Sequence, residues 1–167
     1  MSRVFNTFVN QNSDNDLVKS LQLETKLGPY SRTLCSAVLA KNDLHHIHLH
    51  IVGESFDKIH KITNELYDSL ENDIDKLAEL AMELNENCPN FSVATQLLPA
   101  WQIASKDYYS YTEAVSTIEV VIGNYIASLK ELRTLSESRP DIQSLLDELI
   151  RYWSKELNFK NKQRLNN

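Results

Sequence analysis

Seven residues punctuate this chain: glycines at 28, 53 and 123, and prolines at 29, 89, 99 and 140. Glycine lacks a Cβ and proline has no N–H to donate, so these are the positions where a helix starts, stops or breaks. Between them apolar residues recur three and four apart, which is the helical period, and strand-type alternation is nearly absent. The spacing predicts an all-α chain of four long helices. The first opens at Pro29, a residue suited to a first helical turn. It runs to about Val52, about 36 Å long, with Leu34, Ala37, Val38, Leu44, Ile47 and Ile51 inward. The second starts after Gly53 and ends near Asn85, with Phe56, Ile59, Ile62, Leu66, Leu70, Ile74, Leu77, Leu80 and Leu84 on its apolar face. The third runs from Tyr111 to about Ser136, and the fourth from Pro140 to about Phe159. Residues 86–110 hold Pro89 and Pro99 and are too long for a simple helix hairpin. They suit a crossover between two parallel helices of a bundle, with a short helix around Val93–Leu98. Upstream, Asp14 or Asp16 can cap a short helix ending near Lys26, behind a polar stretch rich in Asn. The domain plan is an N-terminal extension over 1–28, one helical domain over 29–159, and a basic tail over 160–167.

The chemistry-bearing residues are His48, His60, Asp75 and Glu79. Asp75 and Glu79 lie four apart, so both carboxylates leave one face of the second helix. His60 precedes Asp75 by fifteen residues, about 22 Å along a helix axis, whereas a metal–ligand bond is about 2 Å. One straight helix cannot bring them to a shared ion. Two copies packed antiparallel about a two-fold axis can, with His60 of one facing the carboxylates of the other. A helix end and tight turn at Gly53 would lay His48 beside His60. Two imidazoles and two carboxylates with positions left open suit ferrous iron better than a closed zinc site. The spacing alone leaves a plainer pair of readings open: hydrogen-bonded histidines in the core, and a solvated acidic face.

The same residues carry a family resemblance. His45-His46-Ile47-His48-Leu49-His50-Ile51-Val52-Gly53, then Phe56 and His60, Glu65 to Asp68, and Asp75 to Glu79 resemble the Dps branch of the ferritin-like proteins, named for DNA protection during starvation. The spacing matches without a gap from His48 to Glu79. The resemblance is clear over about residues 30–85 and weak beyond. It implies a ferritin-like four-helix bundle with a long crossover, a hollow twelve-subunit shell, and oxidation of Fe(II) to Fe(III) by peroxide or oxygen at the dimer interface. His48, His60, Asp75 and Glu79 are then the ligands, with Tyr67 and Trp101 as nearby electron donors. Two positions depart from the pattern. Leu49 stands where the family usually has Trp, and Asn64 where it often has a carboxylate. The matched residues therefore support ferrous-iron binding better than fast oxidation.

Charge bears on partners. Glu54 to Glu86 holds ten acidic and three basic residues, which is either a solvated face or a surface that gathers cations. Lys155, Lys160, Lys162 and Arg164 in the tail, with Lys19 and Lys26 near the start, are candidates for binding DNA phosphates. The net charge of −6 opposes that use. Asp141, Asp147 and Glu148 are candidates for a cation pore at a three-fold axis. His45, three before His48, and the pair His46 and His50 can steer iron, chelate a soft metal such as zinc, or decorate a helix end. Two cysteines without a CxxC motif, no apolar run of 18 and no leader pattern predict a cytoplasmic protein, nucleoid-associated if it binds DNA. Besides iron oxidation, the pattern admits a DNA-coating shell with little iron chemistry, or a metal-free helical scaffold.

Overall fold

The computed structural model describes residues 27–89, 94 and 103–161. Four long helices follow in order: α1 Pro29–His50, α2 Phe56–Glu83, α3 Tyr111–Leu135 and α4 Pro140–Lys155. A π-helical turn, Glu156–Asn161, continues α4. The expected N-terminal helix lies outside the described residues. Of the short crossover helix only Ala94 is described, helical and buried. Among the described residues there is no strand, only one isolated bridge between Ile51 and Tyr109.

That bridge fixes the topology. It sets the end of α1 beside the start of α3, while Tyr30 Oη lies 2.9 Å from Ser136 Oγ at the opposite end. So α3 runs antiparallel to α1 and parallel to α2, and the crossover carries the chain back along the bundle. Arg139 at the start of α4 reaches Glu83 at the end of α2, and Tyr152 bonds Ser69, so α4 runs antiparallel to α2. Leu44, Ile47, Ile59, Leu66, Leu70, Leu77, Ile118, Ile122, Leu129, Leu146 and Trp153 fill the axis.

Local chemistry sets each boundary. Pro29 sits at the first position of α1 and Pro140 at the first of α4. Gly53 takes a φ of +92° in the turn between α1 and α2, a conformation that a side chain disfavours. Ser110 and Glu113 form a reciprocal capping box on α3. Glu86, just past α2, accepts the Ser31 N–H at 2.8 Å and the Ser31 hydroxyl at 3.0 Å. It thereby supplies the anion that the start of α1 attracts. A Cβ at Gly28 would fall 2.1 Å from the carboxyl carbon of Glu86, so glycine makes room for that clamp.

Three readings need correcting. Phe56 is 40% exposed rather than inward, because it stacks on the His60 ring at the surface instead of entering the core. The fourth helix is α-helical only to Lys155, then loosens to the wider π geometry. Asp73 does not belong to the wet acidic face. It is buried, and its carboxylate accepts the Tyr125 hydroxyl at 3.1 Å and the indole N–H of Trp153. One carboxylate thus joins α2, α3 and α4. Asp43, also buried, accepts the N–H groups of Ile103 at 3.0 Å and Ala104 at 3.1 Å and ties the returning crossover to α1.

Burial pushes the Asp73 carboxyl above its ordinary value, partly opposed by its two hydrogen bonds. The folded chain therefore holds this proton more readily than the unfolded chain. Its contribution favours folding at low pH and is lost as pH rises from about 4 through the raised value. Asp73→Asn keeps an acceptor and removes the buried charge, so its stability relative to wild type should rise over that window in thermal melts. Asp73→Ala strands two buried donors and should cost about 2–4 kcal/mol. A harmless alanine variant would contradict this role.

Candidate metal centre

His48 sits in the last turn of α1 and His60 in the second turn of α2, so the turn at Gly53 folds them together. Their rings stack with centroids 3.5 Å apart and planes 25° apart. The histidines also bond reciprocally: each Nδ1–H donates to the other's backbone carbonyl, at 3.0 Å in both directions. The carbonyl of His48 needs such a donor. It belongs to a helix end, and the N–H four residues on, that of Val52, bonds Tyr109 instead. Because a carbonyl can only accept, both imidazoles must carry their proton on Nδ1. Both Nε2 lone pairs are left for an external partner. Metal-ligating histidines are oriented in this way, by a backbone carbonyl on the second nitrogen.

Neighbours hold the pair. Thr63 Oγ1 donates to the Ile59 carbonyl at 2.8 Å and lies 3.3 Å from His48 Nδ1, where its lone pair supports the same tautomer. Phe56 stacks on the outer face of His60 at 4.7 Å. The Tyr67 ring stands edge-on to His48 at 5.3 Å and to His45 at 5.1 Å. Burial lowers the proton affinity of His48, with the bond to His60 and the charge of Asp68 acting the other way. The neutral ring, the form that binds metal, is thereby favoured.

Asp75 and Glu79 are exposed on the same helix as His60, fifteen and nineteen residues further along. That is about 22 Å and 28 Å, so one chain does not bring them to the histidines. Among the described residues no group of three or more His, Cys, Asp or Glu could hold an ion. Near the histidine pair three apolar side chains are exposed: Leu49 at 60%, Val52 and Phe56.

Asn64 serves a local network. Its amide donates to Asp68 at 2.9 Å and accepts the Tyr67 hydroxyl at 2.9 Å. That bond positions the Tyr67 ring through Asn64. Of the pore candidates, Asp141 is gripped by Arg139 and Asp147 by Arg133, each through two bonds, and the arginines hold both carboxyls below their usual range. Glu148 is more open, with Lys76 4.0 Å away. Lys155 is exposed at the end of α4. The side chain of Lys160, and Lys162, Arg164, Lys19, Lys26 and Trp101, lie outside the described residues.

No family model and no curated protein matches this chain. Its fold does match solved structures. Over 82% of its length it superposes on 92% of Dps from Staphylococcus aureus, with a TM-score of 0.69 and 18% identity. A Dps protein from Bacillus brevis gives 0.66 at 23% identity, covering 83% of this chain and 93% of that one. The DPS protein from Vibrio cholerae O1, described as a member of a broad superfamily of ferritin-like diiron-carboxylate proteins, gives 0.69 at 21% identity with 89% of each chain covered. The chain therefore has the ferritin-like four-helix fold, in the form that Dps proteins take. Among its described residues no helix is long and apolar enough to cross a membrane.

The reciprocal bonds make a prediction independent of any metal. Long-range ¹H–¹⁵N correlation spectra of metal-free protein at pH 7.5 should show His48 and His60 both protonated at Nδ1. An Nε2–H tautomer at either would break the pairing described here.

Proposed function

We propose that this chain is a Dps-type mini-ferritin that binds Fe(II) at a site shared by two copies related by a two-fold axis. The observation that carries it is the His48–His60 pair, locked as Nδ1–H tautomers with both Nε2 atoms free. The residues that would complete a ligand set, Asp75 and Glu79, lie beyond reach on the same helix. An antiparallel second α2 would bring its own Asp75 and Glu79 to the pair. It would also cover Leu49, Val52 and Phe56, apolar surface that a lone chain leaves in water. The donor set of two neutral imidazoles and two carboxylates fits ferrous iron with positions left for water and oxidant.

The substrate is Fe(II), with hydrogen peroxide or oxygen as electron acceptor. Two Fe(II) ions give one electron each to a peroxide, whose O–O bond breaks to leave two water-level oxygens. Fe(III) is then stored as oxide inside a shell, proposed to be a dodecamer. Pairing the ions confines the peroxide and limits damage to DNA and other targets. Asn64 in place of a carboxylate removes one negative charge beside His60, so one of two iron positions is weakened. Glu148 is the least committed acid for cation entry, since Asp141 and Asp147 are engaged by arginines. The alternative of a DNA-coating shell rests on the basic termini, against a net charge of −6.

Stopped-flow oxidation of Fe(II) by peroxide tests the reading. His60→Ala and Asp75→Ala should each slow the reaction by about tenfold or more, with helicity and assembly retained. Variants that oxidise iron as fast as wild type would remove these residues from the chemistry.

A further inference from the structure

The two cysteines are nucleophiles that the iron reading leaves unused, and the fold brings them to one place. Cys35 is buried in the second turn of α1, and Cys88 is exposed in the segment that leaves α2. The contacts of that segment mark its path over α1. Glu86 accepts the Ser31 N–H at 2.8 Å, and Ser31 Oγ is within hydrogen-bond distance of the Asn87 carbonyl. One residue on, Cys88 lines a groove of about 180 Å³ with Leu34 and Val38 of α1 and Ile74 and Ala78 of α2. Cys35 is one helical turn beyond Ser31, next to Leu34 and just short of Val38, so it falls within this patch of contact. We propose that Cys35 and Cys88 are a peroxide-reactive dithiol that closes to a reversible disulfide and fastens the start of the crossover to α1.

Their unequal surroundings set the order of steps. Cys88 is open to solvent, and its groove admits a molecule as small as hydrogen peroxide. The Cys88 sulfur attacks one peroxide oxygen and the O–O bond breaks. The thiol proton ends on the departing oxygen, so the products are a sulfenic acid and water. Cys35 then gives up its proton and attacks the Cys88 sulfur. The S–S bond forms and the sulfenic oxygen leaves as a second water. Two thiols lose two electrons in all, and one peroxide gains them. Burial pushes the Cys35 thiol up to about 11, and the neighbouring Cys88 adds to the rise. Cys35 is therefore inert toward oxidant by itself and reacts with a sulfur held against it. The bond would involve none of His48, His60, Asp75 and Glu79, so the pair stands independently of the iron proposal.

The test treats the full chain, stripped of iron with a chelator and kept dilute, with a small excess of hydrogen peroxide. The intact mass should fall by two hydrogen atoms, both free thiols should disappear, and peptide mapping should find Cys35 joined to Cys88. Dithiothreitol should restore both thiols. Cys35→Ser should stop at a Cys88 sulfenic acid that dimedone traps. Cys88→Ser should leave Cys35 reacting at least about tenfold more slowly than Cys88 does in wild type. Since Cys35 lies in the core, the wild-type mapping is the measurement that depends on no variant. If wild type instead gained oxygen on Cys88, or joined Cys88 to Cys88 of a second chain, with Cys35 still a thiol, the pairing would be refuted whatever became of the iron reading. Two unreacted thiols would refute it equally.

Discussion

A straight helix cannot bend back on itself, and α2 is unbroken from Phe56 to Glu83. That constraint governs the functional reading. It holds His60 near one end and Asp75 and Glu79 toward the other, so within one protomer these groups cannot meet, and the proposed site needs a second copy. The bundle holds α2 by its packing on α1, with side-chain bonds to α3 and α4. Ile59, Leu66, Leu70 and Leu77 face inward, and Asp73 binds donors from α3 and α4 on the same inner side. On the proposed reading, the fold that holds the helix is also what would deny the single chain a complete ligand set.

The His48–His60 pair shows how backbone geometry fixes side-chain tautomers. A helix end leaves carbonyls without donors, and Gly53 turns the chain so that α2 returns past that end. His60 satisfies the orphan carbonyl of His48, and His48 bonds back to His60. Structural need and ligand orientation coincide: the proton that caps the helix end is the proton that must sit on Nδ1 for Nε2 to be free. The same logic recurs on the other side of the turn, where His46 and His50 each bond a carbonyl. All four imidazoles are thus oriented by main-chain groups of this one turn and the segment that approaches it.

Much of this was legible in the sequence. Scarce glycines and prolines mark helix limits directly, so Pro29, Tyr111 and Pro140 start their helices as the pattern predicts, and the other ends fall within a few residues. The His48–His60 pairing was readable because Gly53 lies between them at hairpin spacing. What was not readable depended on distant partners. Asp73 and Asp43 look like surface acids by residue type. Their burial follows from Trp153, Tyr125, Ile103 and Ala104, at least fifty residues away in the chain. The apolar spacing continues through Leu157 and so hides the change to π geometry after Lys155. Phe56 reads as core by its spacing, yet it stacks on His60 at the surface. The contact between His45 and Tyr67 had no local signal, since it depends on how α1 and α2 are rotated against each other.

Complementation between two broken chains is the most direct trial of a divided site. His60→Ala and Asp75→Ala protomers, each unable to build the centre alone, are mixed and co-assembled. A mixed pair regains one intact site from the histidine of one chain and the carboxylate of the other, so random pairing should restore about a quarter of wild-type Fe(II) binding. Binding that stays at the level of the unmixed variants would contradict a centre shared between protomers.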